Sequence, residues 1–191
     1  FHVGKRSKVR YVERHYGEGD GRGENIMNPT TVVEMDEDSY MEMETTQIKG
    51  VDSTVRTTNA KLGDRATLII KEKVMTHGKQ LAKSDFTVDL DGEDCHTNVI
   101  SRSVAREDSK QVFLARINGN NRCYGHSECD AIIMDHGVVA AIPEVTANCV
   151  DASLVHEAAI GKIAGEQLTK LMTLGLTEKE AEEQIVKGFL K

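Results

Sequence analysis

The sequence has no tryptophan and few other aromatic residues, with four phenylalanines and four tyrosines among 191 residues. A core without large rings must be filled by Val, Ile, Leu, Met and Ala, which suits thin, repetitive β layers. Hydrophobic residues still make up 39% of the chain. This content excludes general disorder, and the length favours one domain with a substantial core.

Long apolar runs are missing as well, since no stretch approaches the roughly 20 residues that span a bilayer. The net charge of −7 gives no reason to expect binding to nucleic acid or to an anionic membrane. Four cysteines are too few for a disulfide scaffold, and no secretory segment is visible, so we expect free thiols in the reducing cytoplasm. The first residue is Phe1 rather than Met, as at a fragment boundary.

From Thr30 to about Val150 the sequence predicts a succession of short strands. Runs such as "TTVVEM", "ATLIIKEKV" and "QVFLARI" are rich in β-branched residues, and several runs alternate apolar with polar positions. No helix-period stretch interrupts them, which disfavours a Rossmann or TIM-barrel fold. A β-sandwich and a β-solenoid both fit. The polar breaks at 61–64, 89–94 and 118–121 lie about one multi-strand coil apart, which favours a solenoid with its core in residues 1–150.

Residues 17–29 interrupt the strand pattern with glycines and acidic side chains. A glycine-rich stretch can cradle phosphate, but no Gly-Lys-Ser/Thr follows this one. Glu18, Asp20 and Glu24 would also repel a phosphate group. We therefore expect a mobile, solvated loop here.

Residues 151–191 are expected to form a C-terminal α-helical segment. A first helix ends at Gly175, which supplies a left-handed cap. A second begins with a capping box made by Thr177 and Glu180. Its predicted buried stripe is Ala181, Ile185 and Phe189. Such helices can cover the open end of a solenoid or present a surface to a partner.

The stretch "CYGHSECDAIIM", residues 123–134, holds three potential metal ligands three residues apart, Cys123, His126 and Cys129. In an extended strand the two thiols share one face but stand some 20 Å apart, so one ion could not bind both. His126 and Glu128 would then point to the opposite face. The ligands converge only if the chain turns near position 124, so a metal site and a set of buried thiols with a surface histidine both remain open.

A second group of ligand residues follows at His156 and Glu157, in "DASLVHEAAIGKI". An adjacent His-Glu pair is by itself commonly a surface feature. Taken with the upstream cysteines, however, it assembles thiolate, imidazole and carboxylate groups. Such a mixed set suits iron better than magnesium or calcium, which prefer oxygen ligands alone.

The stretches "ECDAIIMD" and "VHEAAIGKIAGEQLTKLMTLGLTEKEAEEQIVKGFLK" resemble the C-terminal half of the SufB/SufD family of iron–sulfur cluster assembly scaffolds. The landmarks in order are a Cys-Asp pair, a Pro, a His-Glu-Ala triplet, a Gln-Leu on a helix, a Gly-Leu, an acidic helix and a closing Gly-Phe. This order over about 65 residues is specific, and the likeness extends more loosely back to about Ser84.

The resemblance implies a right-handed parallel β-helix with a C-terminal α-helical cap. It further implies dimerisation through the β-helix, as a homodimer or a SufB/SufD-like heterodimer, and binding of a SufC-type ABC ATPase through the C-terminal helices. The residues that match the family's cluster positions are Cys129, Glu157 and His156. The chain would then be a non-catalytic scaffold that receives sulfur from a donor, holds a transient iron–sulfur cluster and passes it to apo-protein recipients.

Some features depart from the family pattern. No cysteine precedes Cys95, although SufB proteins commonly carry an upstream one linked to sulfur entry; Cys95 can replace it, or sulfur can arrive as free sulfide. Cys123 and His126 are not standard family positions and are either extra ligands or core residues. Two alternative functions also stay open: a β-solenoid carbohydrate-active hydrolase, which the shortage of aromatic platforms disfavours, and a structural ATPase partner without a cluster.

Overall fold

The computed structural model describes residues 1–18 and 23–191. Its strands are β1 (His2–Val3), β2 (Lys8–Tyr16), β3 (Ile26–Met27), β4 (Thr30–Met35), β5 (Tyr40–Lys49), β6 (Ser53–Leu62), β7 (Thr67–Thr76), β8 (Leu81–Leu90), β9 (Cys95–Ala105), β10 (Lys110–Gly119), β11 (Cys123–Ile133), β12 (Val138–Ala147) and β13 (Ala152–Gly161). Two helices follow, α1 (Gly165–Thr173) and α2 (Glu178–Phe189).

The strands wind into a parallel β-solenoid with two sheets. One sheet has the order β1-β4-β6-β8-β10-β12, with β3 also paired to β6, and the other has the order β13-β11-β9-β7-β5-β2. Within the described residues every pairing is parallel. Cys95 pairs with Cys123, 28 residues on, and Cys123 pairs with Ala152, 29 residues on. The solenoid prediction is thus confirmed, and the sandwich alternative is excluded.

Tight corners between strands recur from coil to coil, and several of them adopt a left-handed backbone. Asp38, Arg65 and Asp94 occupy this conformation along one edge of the solenoid, with φ between 54° and 58°. Side chains then bridge successive corners: the Arg65 Nε donates to Asp38 Oδ1 at 2.7 Å, and the Arg122 Nε donates to Asp94 Oδ1 at 2.7 Å. The polar breaks of the sequence are these corners, and their stacked ion pairs hold consecutive coils in register.

The core lies between the two sheets, where alternate residues of each strand point inward. Its largest fully buried side chains include Phe86, Met41, Leu68 and Ile70. Burying each such side chain stabilises the fold by about 1.5–3 kcal/mol. Phe86 and Phe113 supply an aromatic contact with ring centroids 5.8 Å apart. As expected from the composition, aliphatic and methionine side chains fill most of this space.

A buried ionic cluster interrupts the core near the N-terminal coils. Arg56, only 4% exposed, donates to Glu13 Oε2 at 3.3 Å and to His15 Nδ1 at 2.7 Å. Its Nε lies 3.5 Å from Glu72 Oε1. The same Glu72 carboxylate accepts hydrogen bonds from the hydroxyls of Ser84 and Ser101. Charges buried this deeply persist because each is paired and hydrogen-bonded.

The predicted loop at 17–29 is only partly a loop. Ile26 and Met27 form β3 and pair with Ser53 and Thr54 of β6, because their extended backbone completes the sheet. Residues 19–22, which include the acidic Asp20 and two of the four glycines of this stretch, lie outside the described residues.

The expectation of helix directly after Val150 is wrong, because the residues from Ala152 to Gly161 form β13. Their Ala-rich and Glu-containing composition suits a helix, but pairing along β11 satisfies the backbone of this segment as a strand. The helices therefore begin only at Gly165. The left-handed Gly175, with φ of 96°, is confirmed.

Helix α2 begins with the predicted capping box of Thr177 and Glu180. Its buried residues are Ala181 and Val186, whereas Ile185 and Phe189 are half-buried. Val186 packs with Val104 and Met134 against the outer face of the second sheet. In the described part of the chain, neither helix has both the length and the apolar character needed to cross a membrane.

Candidate functional site

Strand β11 is extended throughout, so the stretch from Cys123 to Ile133 contains no turn that gathers its ligands. Cys123, Gly125, Ser127 and Cys129 are buried on the inner face, and the residues between them point outward. Cys123 and Cys129 are therefore six positions apart along one straight face and cannot bind one ion together. Of the two alternatives, the structure shows the extended one.

The Cys129 thiol lies inside the solenoid, 1% exposed. Burial, together with the negative charges of Glu72 and Asp130, raises its pKa to about 12. Along the inner face Cys129 stands in register with Ser101 on one side and with Ala158 on the other. Ala158 belongs to the last coil and is exposed. Its methyl group therefore lies between the Cys129 thiol and the open end of the solenoid.

His156 and Glu157 are neighbours on β13, but their side chains lie on opposite faces of the sheet. His156 points inward, and its Nδ1 is 2.9 Å from the Ser127 hydroxyl. Burial lowers the pKa of His156, and the nearby His126 lowers it further, which favours a neutral imidazole. Glu157 points outward and is 67% exposed. Thus Cys129 and His156 share the inner face, whereas Glu157 does not converge with them within one chain.

On the outer face Glu157 meets two side chains of β11. Ligand atoms of His126, Glu128 and Glu157 all lie within 4.8 Å of one another. The His126 Nε2 is 3.3 Å from Glu157 Oε2, and Glu128 stands directly in register with Glu157. Burial raises the pKa of Glu128, and its hydrogen bond with Asp130 raises it further. His126 was predicted as an extra ligand, but sequence reasoning missed Glu128. The alternation that places His126 outward also places Glu128 there.

The other three cysteines form a separate group at one corner of the solenoid. Cys95 and Cys123 stand in register on adjacent strands, and both are buried. Burial, together with the neighbouring Cys123, raises the pKa of Cys95 to about 12. The pKa of Cys123 is raised by burial and by Cys149, which is half-buried. These thiols do not join Cys129, so the structure does not bring all the predicted extra ligands to one site.

The last coil, formed by β12 and β13, has an uncovered inner side. Inward-facing Val145 is 47% exposed and Ile160 is 38% exposed, although their counterparts in earlier coils are buried. The helices do not remove this exposure, because α2 packs against the outer face around Val104 and Met134. The thiol and imidazole therefore lie just beneath an apolar end, and the carboxylate lies on its rim.

The structure thus defines a class of protein: a parallel β-solenoid whose open end carries a thiol, an imidazole and a carboxylate. Residues 1–189 match the model of the SUF system FeS cluster assembly, SufBD core domain. The chain belongs to this family, as its sequence resemblance predicted.

The chain is 33% identical over 190 residues to an iron–sulfur cluster assembly SufBD family protein of Methanocaldococcus jannaschii, covering 98% of this chain and 60% of that protein. It is 34% identical over 128 residues to a SufBD family protein of Archaeoglobus fulgidus, covering 66% and 34%. With the iron–sulfur cluster assembly protein SufB of Bacillus subtilis it shares 32% identity over 99 residues, covering 50% and 21%. The chain therefore spans less than two thirds of the length of these relatives.

Proposed function

We propose that this chain is a non-catalytic scaffold on which an iron–sulfur cluster is assembled and from which it is passed on. The cluster is cargo, so it must be held firmly enough to survive and weakly enough to leave. One thiolate combined with nitrogen and oxygen ligands binds iron less tightly than four thiolates do. Cys129 and His156 of one chain, together with Glu157 of a second, would provide such a set; these are the positions that the family resemblance implies.

The observation that carries this proposal is the placement of Cys129 beneath Ala158 at the uncovered end of the solenoid. Edge strands β12 and β13 leave one row of backbone groups unpaired, and apolar side chains surround it. A second copy, or a SufB/SufD-like sister chain, would cover both the unpaired backbone groups and the apolar side chains. Two-fold symmetry would then bring two sets of ligands to one seam, so that Glu157 of one copy reaches a cluster near the thiol of the other.

The partner of the helical segment would be a SufC-type ABC ATPase. Helix α1 has no buried residue, and Met172 and Leu174 are 44% and 75% exposed. Helix α2, by contrast, is anchored to the solenoid through Val186. Movement of a docked ATPase would therefore be transmitted through α2 to the strands that carry the site. This gives a mechanical route to cluster release.

The sulfur donor and the apo-protein recipients would be further protein partners. Cys95 is buried and its pKa is raised to about 12, so its thiol is a poor acceptor unless the corner opens. Delivery as free sulfide therefore fits this chain better than transfer through Cys95. All four cysteines are free, which fits a reducing cytoplasmic compartment.

The test is anaerobic reconstitution of the untagged chain with ferrous iron and sulfide, carried out on the wild type and on the Cys129→Ser variant. We expect the wild type to bind iron and sulfide and to show visible cluster absorbance, and the variant to lose both. Cys149→Ser is the matched control, since this thiol is half-buried and lies away from the site. Equal loading of wild type and Cys129→Ser would remove Cys129 from the ligands. A wild type that copurifies with the ATPase but never binds a cluster would instead indicate the structural-partner alternative.

A further inference from the structure

We propose that His126, Glu128 and Glu157 form a separate binding site for a single ferrous ion on the outer face of the solenoid, one sheet thickness away from the Cys129 thiol. The inference rests on the proposed scaffold function in its choice of iron, and it shares Glu157 with the proposed cluster ligands. The site itself is argued from the arrangement of these three side chains.

The spacing of the ligand atoms fits one ion. They lie within 4.8 Å of one another, and ligands held at about 2.0–2.2 Å from one ion stand about 3–4.4 Å apart. A small rotation of the exposed Glu157 side chain closes the difference. Glu128 and His126 are half-buried on the rigid strand β11, so two of the three ligands are already positioned by the fold.

The contacts of the histidine suit metal binding. Asn98 Oδ1 lies 3.0 Å from His126 Nδ1, in position to accept a proton from that nitrogen. His126 Nε2 faces Glu157 Oε2 at 3.3 Å. With the proton on Nδ1, Nε2 would present a lone pair toward the carboxylate, and a cation between the two atoms would be bound by both. Asn98 therefore has the role of a positioning residue behind the ligand.

The local charge also favours a cation. Glu128 and Glu157 stand opposite each other in register, and like charges in this position destabilise a sheet. Asp130 adds a third carboxylate, while Arg102 is the cation in register with it on β9. One arginine against three carboxylates leaves net negative charge at the rim. Imidazole with carboxylate oxygens suits a first-row divalent ion, and iron is the ion that cluster assembly consumes.

Its position would let the site supply iron to the cluster. Glu157 follows His156 directly on the edge strand β13, so the outer and inner faces meet around the free edge of this strand. An ion held outside reaches the inner ligands without crossing the core. Cys129 does not contribute to the outer site, because its side chain lies on the opposite face of β11.

The experiment is anaerobic titration of the untagged chain with Co²⁺, followed through its visible d–d absorption, and with Fe²⁺ by calorimetry. We expect one ion per chain. Glu128→Gln and His126→Ala should abolish binding, and Asn98→Ala should weaken it about 10- to 100-fold. His96→Ala is the matched control, since His96 is an exposed histidine on the same face of the second sheet, stacked near Tyr124. It should leave the affinity unchanged.

Cys129→Ser separates this site from the scaffold function. If both proposals hold, this variant binds Co²⁺ normally but assembles no cluster. Loss of Co²⁺ binding in Cys129→Ser, or unchanged affinity in Glu128→Gln and His126→Ala, would overturn the outer site and leave the scaffold proposal standing. Normal Co²⁺ binding by a wild type that cannot assemble a cluster would overturn the scaffold proposal alone. Circular dichroism of each variant shows whether a loss reflects misfolding.

Discussion

Replacing Arg56 by Met tests whether the buried ionic cluster supports the solenoid. Met keeps an unbranched side chain of similar length but removes the guanidinium that pairs with both Glu72 and Glu13. Glu72 is 4% exposed, so water cannot replace the lost partner. Removing one member of a buried ion pair typically costs about 3–5 kcal/mol.

This cost should be visible as a lower melting temperature. For a domain of this size, each kcal/mol shifts the midpoint by about 2–4 °C, so Arg56→Met should melt about 6–20 °C below the wild type. Circular dichroism in the β-sheet region follows the transition, and urea unfolding provides the free energy. Arg14→Met is the control, because Arg14 is exposed on β2, between Glu13 and His15 in the sequence; it should change stability by less than about 0.5 kcal/mol.

A double-mutant cycle isolates the interaction itself. Glu72→Gln keeps the shape of the side chain and its contact with the Ser84 and Ser101 hydroxyls. If Arg56 acts by neutralising Glu72, the double variant should be more stable than the sum of the two single changes allows, by about 0.5–3 kcal/mol. An Arg56→Met protein within about 1 kcal/mol of wild type would refute the reasoning, because the carboxylates would then need no cation.

Three further predictions follow from the site and its surroundings. Gly125→Ala should lower the free energy of unfolding in urea by about 1–3 kcal/mol, because the added Cβ would lie 2.7 Å from Ile117 Cγ2. Gly161→Ala is the control and should be neutral, since its added Cβ would meet no neighbouring atom within 4 Å. With a pKa raised to about 12, only about one Cys129 in ten thousand is a thiolate at pH 8. Mass spectrometry should therefore find native alkylation at the half-buried Cys149 before Cys129, and a Cys129 rate that rises tenfold per pH unit; labelling of Cys129 as fast as that of Cys149 would contradict this. If the proposed dimer forms through the last coil, Val145→Lys should convert it to a monomer in analytical ultracentrifugation, and an unchanged dimer would exclude the last coil as the interface.

Much of the fold could be predicted because the solenoid repeats a strong local signal. Alternation of apolar and polar residues marks the strands, and the polar corners recur once per coil. Runs such as "ATLIIKEKV" therefore identify their own buried faces without reference to distant residues. The capping box at Thr177 and the left-handed Gly175 are equally local, and both are present in the structure.

Features that depend on pairing with other strands could not be predicted from local pattern. Residues 152–161 combine alanine and glutamate, which suit a helix, yet they form β13 because the edge of β11 supplies hydrogen-bond partners. Ile26 and Met27 form a strand for the same reason, against β6. Glu128 was not singled out as a ligand because its counterpart Glu157 lies 29 positions away in sequence, a separation set by the length of one coil.

The geometry of β13 explains why a cargo site belongs at the end of a solenoid. Adjacent residues of a strand always point to opposite faces, so His156 and Glu157 could never bind one cluster from an interior coil, where neighbouring strands close both edges. On β13 one edge is free, and the inner and outer faces meet around it. A second chain that covers this edge would enclose the cluster, and separation of the two chains would expose it again. In the proposed dimer, tight enclosure and easy release would follow from the same feature, since the seam around the cluster would lie between two rigid bodies rather than inside a folded core.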